Sequence, residues 1–222
     1  MARSLLFDMR FAALLVDMDG TILNSTAVSE RVWGEWARKA GLDVAAFLPT
    51  MHGRRVTDTI AAQNLPAIDI EKEAAAISAA EIADVEGIVP IGGALPFLAS
   101  LARDKWAVVT SAPRALAVRR LEAAGITAPD VVVTSEDVTV GKPAPDCYAL
   151  AARRLGVEPA ECLVIEDAPP GIAAAEAVGA TILVVSETHR QPLETPHVSV
   201  VNFAALTVSV ECDGRIAIFV ES

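Results

Sequence analysis

The sequence has no block of basic residues. Its 18 lysines and arginines are outnumbered by 29 aspartates and glutamates, giving a net charge of -11, so neither nucleic acid nor an anionic membrane is an expected partner. No apolar run approaches the ~20 residues that span a bilayer. Cysteine is scarce: Cys147, Cys162 and Cys212 lie far apart and form no C-x-x-C pair, which argues against a disulfide framework or a thiolate metal site and suits a reduced, cytoplasmic protein. His52, His189 and His197 show no metal-ligand spacing. Asp8 and Arg10 interrupt the apolar stretch at the start of the chain, so no signal peptide is expected. Aromatic residues make up only 5% of the chain, and no internal repeat is visible.

What is present is a large apolar share, 53% of 222 residues, enough for one domain with an insertion or for two small domains. Residues 11–16 form an unbroken apolar run, the pattern of a parallel strand buried on both faces. The run ends in Asp17-Met18-Asp19-Gly20-Thr21. In open parallel sheets the reactive crevice lies beyond the carboxyl ends of the strands, where Asp17 and Asp19 would stand together. Two adjacent acids repel each other without a cation, which points to Mg²⁺ with its preference for oxygen ligands. By residue type alone the same stretch also reads as a solvated strand-to-turn junction.

Residues 23–86 then carry helical patterns at 28–36, 44–47, 54–64 and 70–85, with no strand between them. A block inserted there would form a bundle above the two aspartates, with Trp33 and Trp36 in its core. His52, Gly53 and Arg54 mark a loop-to-helix junction where an arginine either reaches a phosphate or sugar or is simply solvated.

From residue 87 strand and helix patterns alternate: strands at 106–110, 131–133, 162–165 and 181–185, helices at 94–102, 114–124, 146–155 and 169–178. That rhythm implies right-handed β-α-β units and a doubly wound parallel sheet, a Rossmann-like α/β core of residues 1–22 and 87–222 with a helical cap at 23–86. Thr110-Ser111 ends one strand at a helix start, a suitable anion cradle or a plain helix cap. Lys142, between Gly141 and Pro143, is either a positioned cation or a surface lysine. Glu166-Asp167 ends another strand, close enough to the first that Asp17, the Asp19 carbonyl and Asp167 would share one ion. Residues 208–220 read as a β-hairpin with an Asp213-Gly214 turn, extending the sheet edge or packing on the core.

These four elements together resemble the haloacid dehalogenase-like hydrolase superfamily over nearly the whole chain. Asp17 to Thr21 match its first motif, Thr110 or Ser111 its second, Lys142 its third and Glu166-Asp167 its fourth. The helical insertion resembles the subgroup of sugar phosphatases and β-phosphoglucomutase. The resemblance implies Asp17 as nucleophile and Asp19 as general acid and base. It further implies that Thr110 or Ser111 and Lys142 bind phosphate, that Asp17, Asp19 and Asp167 hold Mg²⁺, and that Glu166 is a direct or water-mediated partner of the ion. Asp19 argues for phosphoryl transfer over dehalogenation, since a phosphate ester's leaving oxygen needs a proton. The expected activity is hydrolysis of a small sugar or polyol phosphate by a monomer, with a phosphosugar mutase and a non-catalytic sugar-phosphate-binding protein as alternatives. His52, Gly53, Arg54 and Arg114 are the expected selectivity residues.

Overall fold

The computed structural model describes residues 3–66 and 68–221. Met1, Ala2 and Ser222, which the expected division assigns to the core, and Ala67, assigned to the cap, lie outside the described residues. In chain order come β1 (Arg3–Leu5), β2 (Ala13–Val16) and β3 (Leu23–Asn24), then helices α1 (Thr26–Lys39), α2 (Val44–Phe47), α3 (Val56–Ala61) and α4 (Ile70–Ala83). β4 (Val89–Pro90), α5 (Ala94–Ala99), β5 (Trp106–Val109), α6 (Arg114–Ala123), β6 (Val131–Val133) and α7 (Asp146–Leu155) follow. The chain then forms β7 (Cys162–Glu166), α8 (Pro169–Ala177), β8 (Thr181–Val185), β9 (Val198–Val200), β10 (Leu206–Val210) and β11 (Ile216–Glu221).

Six strands form one parallel sheet in the order β6-β5-β2-β7-β8-β9. Alternate residues of its central strands feed two apolar layers. Leu14, Val16, Val108, Leu163 and Ile165 point to one side, against α5, α6 and the C-terminal strands. Leu15, Ala107, Val109, Val164 and Val184 point to the other, against α7 and α8. Both faces are therefore covered, which is why these strands read as continuous apolar runs.

The expected α/β core with an inserted helical cap is the observed architecture. β3 pairs antiparallel with β4, so the chain leaves for the cap and returns from it side by side. The cap helices close on their own cluster, in which Trp33, Trp36 and Phe47 stack at centroid distances of 5.5–5.7 Å.

Of the two placements expected for the C-terminal hairpin, packing on the core is the one observed: β10 and β11 pair with β1 in a separate antiparallel sheet packed there through Leu206, Ile216 and Ile218. Two details differ from expectation. β1 and β9 have no counterpart in the sequence reading, because both are short and mostly exposed. The first strand of the parallel sheet begins at Ala13, and Phe11 lies outside it, in an isolated bridge to Ile216.

Candidate active site

β2 and β7 are adjacent, and Val16 pairs with Ile165, so their polar exits leave the sheet together. The Asp17 N–H donates to the Ile165 carbonyl at 2.9 Å and extends the ladder one residue into the site. Gly20, at φ +88°, turns the chain, and a Cβ there would lie 2.1 Å from Asp167 Oδ2, so only glycine fits. Thr21 bridges the two strand ends, its hydroxyl 3.3 Å from Asp17 Oδ2 and 3.2 Å from Asp167 Oδ1.

Lys142 arrives from the loop before α7 and is buried, not superficial. Its Nζ donates to Asp17 Oδ1 at 2.6 Å, to Glu166 Oε1 at 2.7 Å and to the Val109 carbonyl at 3.1 Å, using all three protons. Glu166 Oε1 also accepts the Tyr148 hydroxyl at 2.9 Å, and its Oε2 accepts the Asp167 and Ala168 N–H groups at 2.8 and 3.0 Å.

Asp17, Glu166 and Asp167 bring carboxylate oxygens within 4.8 Å of one another. Three acids face one lysine. Burial raises the Asp17 and Asp167 carboxyls above the carboxylate range, against the pull of Lys142, and their mutual repulsion with Glu166 adds to the rise. Burial would lower Lys142, but Asp17 and Glu166 prevail and hold it well above its usual value. With all three acids ionised the cluster would be short of positive charge by about two units, and its donors are all oxygen, which fits a hard dication such as Mg²⁺.

Asp19 stands beside this cluster, with Oδ1 accepting the Ser25 hydroxyl at 2.6 Å and Arg120 Nη1 at 2.8 Å. Thr110 Oγ1 accepts the Ala112 N–H at 3.1 Å, whereas the Ser111 hydroxyl donates to the Gly53 carbonyl at 3.0 Å. That bond crosses from core to cap. Gly53, at φ +73°, packs so closely that an added Cβ would come within 2.9 Å of Ala168 Cβ.

A cavity of about 480 Å³ opens between these strand ends and the cap, and Asp17, Asp19, Thr110, Ser111 and Asp167 line it. His52 and Arg54 line it from the cap side. Their neighbour Arg55 turns away to Asp58 and to the Thr139 carbonyl. Arg114 does not join the site. Its guanidinium bonds Asp137 at 2.8 Å and the Val132 carbonyl at 3.3 Å, because its position at the start of α6 faces the turn after β6.

The cavity wall also contains Glu30, Glu81, Arg120, His189 and Arg190, none of them singled out from sequence. His189 Nε2 lies 2.8 Å from the Asp167 carbonyl, and Arg190 pairs with Glu30 across the cavity mouth. The loop carrying His189 and Arg190 has no motif to mark it. Arg120 did leave a signal: on α6 it shares a face with Leu116, Ala117 and Leu121.

A parallel sheet with acids at two neighbouring strand ends, a buried lysine between them and a helical cap above is the arrangement of a hydrolase of the phosphoryl-transfer kind. The chain belongs to the haloacid dehalogenase-like hydrolase family, whose model matches residues 11–179. It is 35% identical over 219 residues to hexitol phosphatase A of Escherichia coli (strain K12), covering 95% of this chain and 100% of that protein. It is 33% identical over 179 residues to fructose-1-phosphate phosphatase YqaB of the same organism, covering 77% of this chain and 94% of that one. Among solved structures, β-phosphoglucomutase from Clostridium difficile has the same fold, with a TM-score of 0.75 at 19% identity over 87% of this chain and 92% of that one. No helix among the described residues is long and apolar enough to cross a membrane.

Proposed function

We propose that this protein is a Mg²⁺-dependent phosphatase acting on phosphate monoesters of small sugars or polyols. The observation that carries the reading is the pairing of two acids in one cavity wall, Asp17 bonded to Lys142 and Asp19 to Arg120. In this reading Asp17 attacks and Asp19 transfers the proton. The relatives named for hexitol and fructose-1-phosphate hydrolysis support the substrate class.

Asp17 Oδ attacks phosphorus while Asp19 gives a proton to the departing sugar oxygen. The bond from phosphorus to that oxygen breaks, leaving an aspartyl-phosphate. Asp19, now ionised, takes a proton from water as the water attacks the same phosphorus and regenerates Asp17. The Thr110-Ser111 turn binds phosphoryl oxygens, and Lys142 does so by turning one of its three N–H groups from the protein to the substrate. Asp17, Asp167 and the Asp19 main-chain carbonyl would hold Mg²⁺, with Glu166 behind them. The ion, when bound, offsets the charge on the transferring group.

We assign residues 1–22 and 87–222 to the catalytic domain and 23–86 to the cap. In this reading the protein acts as a monomer. Free Cys147, Cys162 and Cys212 suit the reducing cytoplasm. His52, Gly53 and Arg54 would contribute to selectivity from the cap.

The test is phosphate release from hexose, pentose, polyol and nucleoside monophosphates, with Mg²⁺ or with EDTA, for wild type and Asp17→Asn. Release confined to sugar or polyol phosphates, lost with EDTA and lost in the variant, is the expected result. Isomerisation of a hexose 1-phosphate without net release would overturn it in favour of a mutase.

A further inference from the structure

Three helices each place one polar residue on an otherwise apolar face. Arg120 lies among Leu116, Ala117 and Leu121 on α6, Glu81 follows Ala74 and Ile77 on α4, and Ser29 sits beside Val28 and Trp33 on α1. They meet at the junction of core and cap. Arg120 Nη2 donates to Glu81 Oε1 at 2.8 Å and to Ser29 Oγ at 3.2 Å, and the Ser29 hydroxyl donates to Glu81 Oε1 at 3.1 Å. Nη1 points the other way, to Asp19 Oδ1 at 2.8 Å. One planar fork thus links two cap side chains to the core acid through separate nitrogens.

Arg120 is 5% exposed and Glu81 2% exposed. A pair buried this deeply seldom adds stability over an apolar replacement, so its presence calls for another reason. Arg120 Nε, also buried, has no hydrogen-bond partner among the described residues, which a purely structural ion pair has no cause to retain. Asp19 supplies the reason. Its Oδ1 is held from two sides, by Ser25 at 2.6 Å and by Arg120, while Oδ2 accepts no hydrogen bond from the described residues and Asp19 lines the cavity.

We infer that Arg120 is a positioning residue for proton transfer. It pins Asp19 through Oδ1, keeps Oδ2 directed at the leaving oxygen, and does so while Glu81 and Ser29 of the cap are seated against it. The inference rests on the assignment of Asp19 as general acid.

The experiment compares kcat/KM for two substrates. One is the polyol phosphate turned over best in the panel above, whose alkoxide leaving group needs a proton. The other is p-nitrophenyl phosphate, whose phenolate leaves without one. Arg120→Met is expected to lower the first by about 100-fold and the second by less than about tenfold, the range in which a general acid contributes. Asp19→Asn should show the same selectivity, and adding Arg120→Met to it should produce little further loss. Glu81→Gln should move the ratio the same way by a smaller factor.

Equal losses on both substrates, or additive losses in the double variant, would overturn the inference and leave Arg120 a structural residue. Thermal melting shows whether Arg120→Met is folded. If it is not, Arg120→Lys carries the same comparison, since it keeps the cation but removes the fork whose two nitrogens serve Asp19 and Glu81 separately. Failure of the underlying assignment looks different: Asp19→Asn alone would then lose both substrates equally.

Discussion

Glu166 accepts four hydrogen bonds, from Lys142, Tyr148 and two main-chain N–H groups. Those fill its acceptor sites, so its position decides where Lys142 points. Tyr148→Phe removes one donor and should lower unfolding stability by about 1 kcal/mol in urea titration. Gly171→Ala is the harsher change. A Cβ there would lie 1.5 Å from Glu166 Oε1, so the carboxylate must leave its network, at about 3 kcal/mol and with loss of phosphate release. The acids and Lys142 were legible in the sequence because each sits at a strand end or beside a proline. Tyr148 was not, because its role depends on which way a helix faces, and it looks like an ordinary helix residue until its neighbours are known.

Elements are held to each other by a few charged side chains. Asp137 lies in the turn after β6, where Thr134 N–H and Oγ1 donate to Oδ2 at 2.8 Å. Arg114 of α6 and Arg154 of α7 reach the same carboxylate at 2.8 and 2.7 Å. Burial alone would raise this group, but Arg154 and Thr134 outweigh it and bring its pKa down to about 2. A carboxyl lowered in the folded state contributes stability above its unfolded pKa of about 3.9 and loses it as pH falls toward the folded value. The stability gap between wild type and Asp137→Asn should thus be full above pH ~5 and shrink from pH ~4 to ~2, as followed by urea unfolding at each pH. This anchor also explains why Arg114, expected at the substrate, is held elsewhere.

In the cap, Phe47 is 4% exposed and packs on both tryptophans. Phe47→Ala should destabilise the protein by about 3–5 kcal/mol, with tryptophan fluorescence reporting the loss. Helical period alone located α1, α2 and α4, since their apolar positions recur at helix spacing. It missed β1 and β9, whose exposed side chains carry no pattern and whose strand character comes from pairing with β11 and β8.

At the scale of the whole molecule, a chain of net charge -11 buries three of its acids around one lysine. A bound dication would relieve that excess in the folded state only. Mg²⁺ should therefore raise the melting temperature, corresponding to about 2.7 kcal/mol at a concentration 100 times its dissociation constant. EDTA should reverse the rise, and Asp167→Asn should abolish most of it. The sequence showed that two strand ends carry acids and that a helical block interrupts the first. It did not show how the block sits, because the seat is made by contacts such as Arg55 to Thr139 and Ser111 to Gly53, between residues 84 and 58 positions apart.

The last of these contacts carries a timing consequence. A serine hydroxyl has a single hydrogen to give, and Ser111 gives it to the Gly53 carbonyl. Under the proposed reading, a phosphoryl oxygen that takes that hydrogen would free the Gly53 carbonyl, and the departure of inorganic phosphate would return it. Phosphate and the Gly53 carbonyl would then be alternative partners of one hydroxyl, and the exit of phosphate would be hastened by the carbonyl competing for the same hydrogen.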